Sequence, residues 1–230
     1  MTEARLQYHE QLRRVEAHIQ AMGDAAQGLF AKSLNAVVRD DAALAERVIA
    51  GDDVIDEYYN RSEERIMRLL ALQAPVAGDL RLLTGLLHIN FHLERIGDMA
   101  VNLAKIGKLA HDLPRSQTVA MQLEEMGGIA LRMIGAAMDS FARRDVDLAR
   151  SLPTMDDPLD KLNKGMLNEV LRIAEDKRML EWGIRMHVVS RQIERVGDHA
   201  VDIAEQVAFV VTGEVGIFSG PDNPVDVHLP

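Results

Sequence analysis

Leu93–Ala104, LERIGDMAVNLA, returns a hundred residues later as Ile193–Ala204, IERVGDHAVDIA, with seven of twelve positions identical. Four of the other five are Leu/Ile, Ile/Val or Asn/Asp exchanges. A chain that repeats itself in this way has to fold the same way twice. Upstream the register shifts to 104: Met22-Gly23 matches Met126-Gly127, Arg39 matches Arg143, and Leu44-Ala45 matches Leu148-Ala149. Asp52-Asp53-Val54-Ile55-Asp56 likewise matches Asp156-Asp157-Pro158-Leu159-Asp160. The second copy therefore lacks four residues, and the punctuated stretch Gln73–Asp79, with Pro75 and Gly78, is where a loop would absorb them. Solenoid units usually run about 20–50 residues, so a repeat this long reads as two fused copies of a small domain.

Hydrophobic spacing predicts six helices. The first runs from Glu3 to Asp40 with Leu12, Val15, Ile19, Met22, Leu29, Leu34 and Val37 on one face. Asp40-Asp41 offers a cap for a second helix reaching Leu72, and a third spans Val76–Leu109. The second copy repeats the pattern over Gln117–Arg144, Asp145–Glu175 and Arg178–Thr212, with Asp145 at the cap. Short links between long helices favour antiparallel neighbours. The expected fold is all-α: two tandem antiparallel three-helix bundles, residues 1–113 and 114–212. The stretch 213–230, with three Gly, three Pro and no Lys or Arg, is expected to be an irregular tail.

Several function classes fall away on composition. The 230 residues are 47% hydrophobic but only 4% aromatic, enough for a core and poor in strand formers. With no Cys, disulfides and thiolate metal sites are excluded. No uncharged apolar run reaches membrane-spanning length, and the charged amphipathic N-terminus lacks a signal peptide's apolar segment. Cytoplasmic residence is the default expectation. A net charge of −10 argues against a nucleic-acid partner and leaves cations, basic protein surfaces and other helices.

The third helix of each copy carries the chemistry. Ile89, Leu93, Ile96, Ala100 and Leu103 form a bundle seam, while Glu94, Asp98 and Asn102 share a different stripe flanked by Leu87, Phe91 and Val101. Carboxylates four apart on a helix lie about 5–6 Å apart at Cβ and repel one another. Asp52 and Asp56 form a similar pair on the second helix, so side-by-side packing would gather four carboxylates. At an effective dielectric near 20, each like pair about 6 Å apart costs about 3 kcal/mol, so a half-buried cluster must protonate or recruit a cation. Oxygen-preferring cations suit such a set, as do iron, manganese and zinc. Gly97 and Gly197 interrupt the same helices at a cost of about 1 kcal/mol each, which implies a close neighbour, either helix or bound group. Arg95 and Arg195 are read as salt-bridge partners or as holders of a partner or an anion, and Asp53 and Asp157 as supporting or capping residues. His88 and His92 have ligand spacing, but they lie off the acidic stripe, and Val188 and Gln192 replace them, so they stay outside the expected site. His187 is incidental on the same ground, because Leu87 replaces it, and the twelve Met are expected to fill core.

A doubled three-helix bundle carrying (Glu/Asp)-x-x-x-Asp on the second and third helix of each half resembles the PhoU family of phosphate-uptake regulators. The most specific elements are Glu94-Arg95-Ile96-Gly97-Asp98 with Asn102, and Glu194-Arg195-Val196-Gly197-Asp198 with Asp202. Asp52/Asp56 and Asp156/Asp160 match the family's other motif. The resemblance implies a cytoplasmic, often dimeric adaptor that binds iron, zinc or manganese on these acidic surfaces. It also implies action with the ATPase of a phosphate ABC transporter and with the sensor histidine kinase of the phosphate regulon. Such proteins restrain uptake and keep starvation genes repressed when phosphate is plentiful. Asn102 opposite Asp202 carries no charge, so the first site is expected to bind metal more weakly or not at all.

Other classes remain as alternatives. An accessory regulator of a different phosphate permease would look much the same. A di-metal oxidase or storage bundle needs a Glu-x-x-His motif, and no Glu here has a His three residues later. A phosphotransfer bundle needs a reactive His, yet no His is duplicated. Neither a phosphate-binding loop signature nor a nucleophile-elbow motif is present, and the chain is read as a non-enzyme.

Overall fold

The computed structural model describes residues 3–51, 53–216 and 218, so most of the expected tail lies outside the described residues. Among the described residues there are seven helices and no strand: α1 (Glu3–Arg39), α2 (Ala42–Ala50), α3 (Asp53–Gln73), α4 (Ala77–Ala110), α5 (Gln117–Arg143), α6 (Val146–Arg172) and α7 (Lys177–Thr212). The extra helix arises because the first copy's second rod is interrupted at Gly51, giving α2 and α3 where one helix is expected. In the second copy the corresponding rod, α6, runs unbroken but contains Pro153 and Pro158. Proline removes an N–H from the helical ladder, so both copies weaken this rod in the same region by different means.

The joint between the first two rods is built identically in both halves. Asp40 and Arg144 take positive φ (58° and 55°), ending α1 and α5. Asp41 and Asp145 then cap the next helix, their carboxylates accepting from the N–H of Leu44 and Leu148 at 2.8 and 2.9 Å. The four residues missing from the second copy come from the helix, not the loop. The connecting segments 74–76 and 173–176 are nearly equal in length, whereas α3 runs about one turn further than α6 in the repeat register.

Each copy forms a three-rod bundle: α1 against α2, α3 and α4, and α5 against α6 and α7. The copies pack on each other through α4 with α7 and α1 with α5. One continuous core runs through both. The α4 seam of Ile89, Leu93, Ile96, Ala100 and Leu103 is fully buried, as are Ile19 and Phe30 of α1 and Trp182 of α7. Met22, Met126, Met133, Met166 and Met186 are buried within it, the core role expected of the methionines, but Met67 and Met121 are exposed and depart from it.

Two glycines set the spacing of the rods that carry the acids. A Cβ on Gly97 would lie 2.9 Å from Ile55 Cγ2, and one on Gly197 would lie 2.6 Å from Leu159 Cδ2 and 2.7 Å from Asp156 Oδ1. Ile55 and Leu159 occupy equivalent places in the two copies, so the same helix-on-glycine contact is made twice. Gly197→Val should therefore lower stability by about 1–3 kcal/mol through overpacking. Gly28→Ala, in open space on α1, should raise it by about 0.5–1 kcal/mol. Urea unfolding in the presence of chelator measures both, and a Gly197→Val protein as stable as the parent would mean that α6 and α7 do not touch there.

Candidate metal centre

The glycine contacts bring the acids of two rods onto one face in each copy. In the second copy Asp156 and Asp160 of α6 face Glu194 and Asp198 of α7. The Asp156 carboxyl is pushed up to about 7, first by burial, then by the charges of Asp198, Asp160, Glu194 and Asp157. Asp198 is raised as well, by burial, then by Glu194, Asp160 and Asp202. In the first copy Glu94 is raised by burial and by Asp98, with a smaller contribution from Asp56 across the α3–α4 gap. Asp52 lies outside the described residues.

Each patch holds a buried carboxylate oxygen without a hydrogen bond: Asp156 Oδ1 in the second, and Glu94 Oε2 in the first, where the Arg95 guanidinium stands 3.5 Å away. A buried carboxylate oxygen without a donor is expensive, and a cation is the group that would satisfy it. The donor set is all oxygen, which fits iron(III), manganese or magnesium-like ions and tolerates zinc.

The two patches are not equally charged. Arg95 reaches both Glu94 (3.5 Å) and Asp98 (3.4 Å), and its guanidinium lies 5.1 Å from the Phe91 ring centre. Its counterpart Arg195 has no carboxylate within 4.0 Å among the described residues, and the second patch has only Lys164, 3.0 Å from Asp160. Asn102 is exposed one turn beyond Asp98. One cation thus touches two carboxylates in the first patch and one in the second. Asp53 and Asp157 are both exposed.

Asp202 does not simply extend the second patch. Its Oδ2 stands 3.4 Å from His92 Nδ1 and 3.6 Å from His199 Nδ1, and the two imidazole nitrogens are 3.0 Å apart. Among the described residues this is the one group of three His, Asp or Glu whose ligand atoms all lie within 4.8 Å of one another. The carboxylate patches are more open and would have to draw inward around an ion. Burial lowers the His92 pKa to about 4, against the pull of Asp202 and with the help of His199 and His88. Sequence reasoning left His92 outside the site and did not single out His199. The available signal was the i,i+3 spacing of His199 and Asp202 on one helix.

Comparison with known proteins follows the duplication. The family model described as PhoU domain matches twice, over residues 19–107 and 123–207. This chain belongs to the PhoU family. A phosphate-specific transport system accessory protein PhoU homolog of Caulobacter vibrioides is 32% identical over 208 residues, covering 90% of both chains. A homolog of Pseudomonas aeruginosa is 33% identical, covering 90% of this chain and 86% of its own. The crystal structure of PhoU from Pseudomonas aeruginosa superposes with a TM-score of 0.86 at 32% identity, over 90% of this chain and all of that one. PhoU from Streptococcus pneumoniae gives 0.82 at 25% identity, over 90% and 98%. The all-α doubled fold expected from the sequence is thus the PhoU fold.

The raised Asp156 pKa has a consequence for the metal-free protein. An acid whose folded pKa exceeds its unfolded value destabilises the fold as pH climbs from the unfolded pKa through the folded one. Asp156→Asn should therefore be increasingly more stable than the parent between pH 5 and pH 8 in chelator. Urea midpoints at the two pH values test this, and a constant difference would mean that Asp156 titrates normally.

Proposed function

We propose that this protein is a metal-dependent, non-catalytic regulatory adaptor of phosphate uptake. The observation that carries the reading is the repeated carboxylate patch on a PhoU-family fold, with Asp156 Oδ1 buried and without a hydrogen-bond partner in the second copy. Iron, zinc or manganese would be held in the second patch by Asp156, Asp160, Glu194 and Asp198, with Asp202 alongside. In the first patch Asp56, Glu94 and Asp98 would hold it, with Asp52 and Asn102 completing the motif. A bound cation neutralises the like charge that otherwise strains these rods. Arg95 already does part of this in the first copy, so the second binds more tightly.

The reading of its partners is supported by the relatives, which carry the name of phosphate-specific transport system accessory proteins. The ligands of regulation are protein surfaces: the ATPase of a phosphate ABC transporter and the sensor histidine kinase of the phosphate regulon. The adaptor works in the cytoplasm as a homodimer. No helix among the described residues is long and apolar enough to cross a membrane, which suits an accessory that reaches the transporter through its partners. Metal-loaded patches hold α3 on α4 and α6 on α7 in one arrangement, and partner affinity then depends on the transport state. At ample phosphate the adaptor restrains uptake and keeps starvation genes off.

Metal analysis of the reconstituted Asp98→Ala/Asp198→Ala protein should show loss of most of the iron or manganese held by the parent. Unchanged content removes the site assignment. Deleting the gene should raise phosphate uptake and switch on starvation genes in phosphate-rich medium, with rescue by the parent but not by the double variant. A deletion strain with unaltered uptake and gene expression would end the regulatory reading.

A further inference from the structure

Apart from the carboxylate patches, we infer that His92, His199 and Asp202 form a separate nitrogen–oxygen site for a divalent transition metal such as zinc, clamping the first copy to the second. Its three donor atoms already stand 3.0, 3.4 and 3.6 Å apart. Two ligands on a tetrahedral zinc, each about 2.0–2.1 Å from it, are about 3.3 Å apart. The circle through the three atoms has a radius of about 1.9 Å, so an ion at zinc distances sits just off their plane. Three protein ligands leave the fourth position to water or an outside ligand.

The two facing Nδ1 atoms make the same point. Without an ion, one imidazole must donate its only Nδ1 proton to the other, which fixes opposite tautomers. With an ion, both carry the proton on Nε2 and present Nδ1 lone pairs. His199 and Asp202 are one turn apart on α7, and His92 comes from α4, whose contact with α7 joins the copies. The three side chains are each half-buried. Imidazole selects zinc, copper or nickel over the hard ions that all-carboxylate patches favour.

The duplication supplies an internal control. Under the repeat register the equivalents of His92, His199 and Asp202 are Gln192, Met99 and Asn102. The mate position on the other side of the α4–α7 seam therefore has no ionisable ligand, and the seam carries the triad on one side. Asp202 borders the second acidic patch as well, but the two imidazoles belong to the seam alone, so changes at His92 and His199 separate this site from the patches.

The test uses the metal-stripped full chain titrated with Co2+ and then Zn2+. One equivalent of Co2+ should give the intense visible bands of four-coordinate cobalt, and Zn2+ should abolish them. His92→Gln and His199→Met install the residues that the other copy tolerates at these places. Each should remove the bands and weaken Zn2+ binding by about a hundredfold or more, since even supporting residues of a metal site are worth about 10–100-fold. Circular dichroism of the metal-free variants should match the parent. The bands should persist in Asp98→Ala/Asp198→Ala. Only weak six-coordinate cobalt bands in the parent, or intense bands surviving in both histidine variants, would overturn the site.

Discussion

Contact between a helix position with no side chain and a branched residue on the neighbouring rod sets the distance on which everything else depends. Gly97 admits Ile55 and Gly197 admits Leu159. These apolar residues sit within the acidic motifs of α3 and α6, so seating them on glycine carries Asp56, and Asp156 with Asp160, towards the acids of α4 and α7. Like charges then lie in a partly dry groove, where repulsion is several times stronger than in water. The penalty of glycine inside a helix is accepted twice because both copies need the same approach.

Doubling the fold did not double the electrostatics. Arg95 folds back over the first patch and offsets two of its carboxylates, stacking on Phe91 as it does so. Arg195 takes no such position, and burial, then the charges of Asp198, Asp160 and Glu194, push the Asp156 pKa up to about 7. In one copy an arginine lies over two of the acids, whereas in the other only Asp160 has a cation beside it. Asp202 links that groove to the histidine pair at the seam between copies.

The duplication made most of the architecture legible. The α4 seam from Ile89 to Leu103, the Asp41 and Asp145 caps and the helix limits outside the second rods are where spacing and capping chemistry place them. Gly97 and Gly197 could be read as points of close approach because both copies keep an unfavourable residue there. The break at Gly51 was not legible, since hydrophobic periodicity continues across it, and the four-residue difference lengthens α3 in place of the loop that Pro75 and Gly78 suggested. His92 and His199 escaped for a different reason. Comparing copies shows what they share, whereas this pair exists only where unlike residues of α4 and α7 meet.

Anomalous-difference maps from crystals of the full chain grown with Mn2+ would show whether the grooves hold a cation. A strong peak is expected between α6 and α7, within coordination distance of Asp156 and Asp198, and a weaker one between α3 and α4 beside Glu94. Occupied manganese only elsewhere on the surface, with both inter-helix grooves bare at saturating Mn2+, would contradict that expectation.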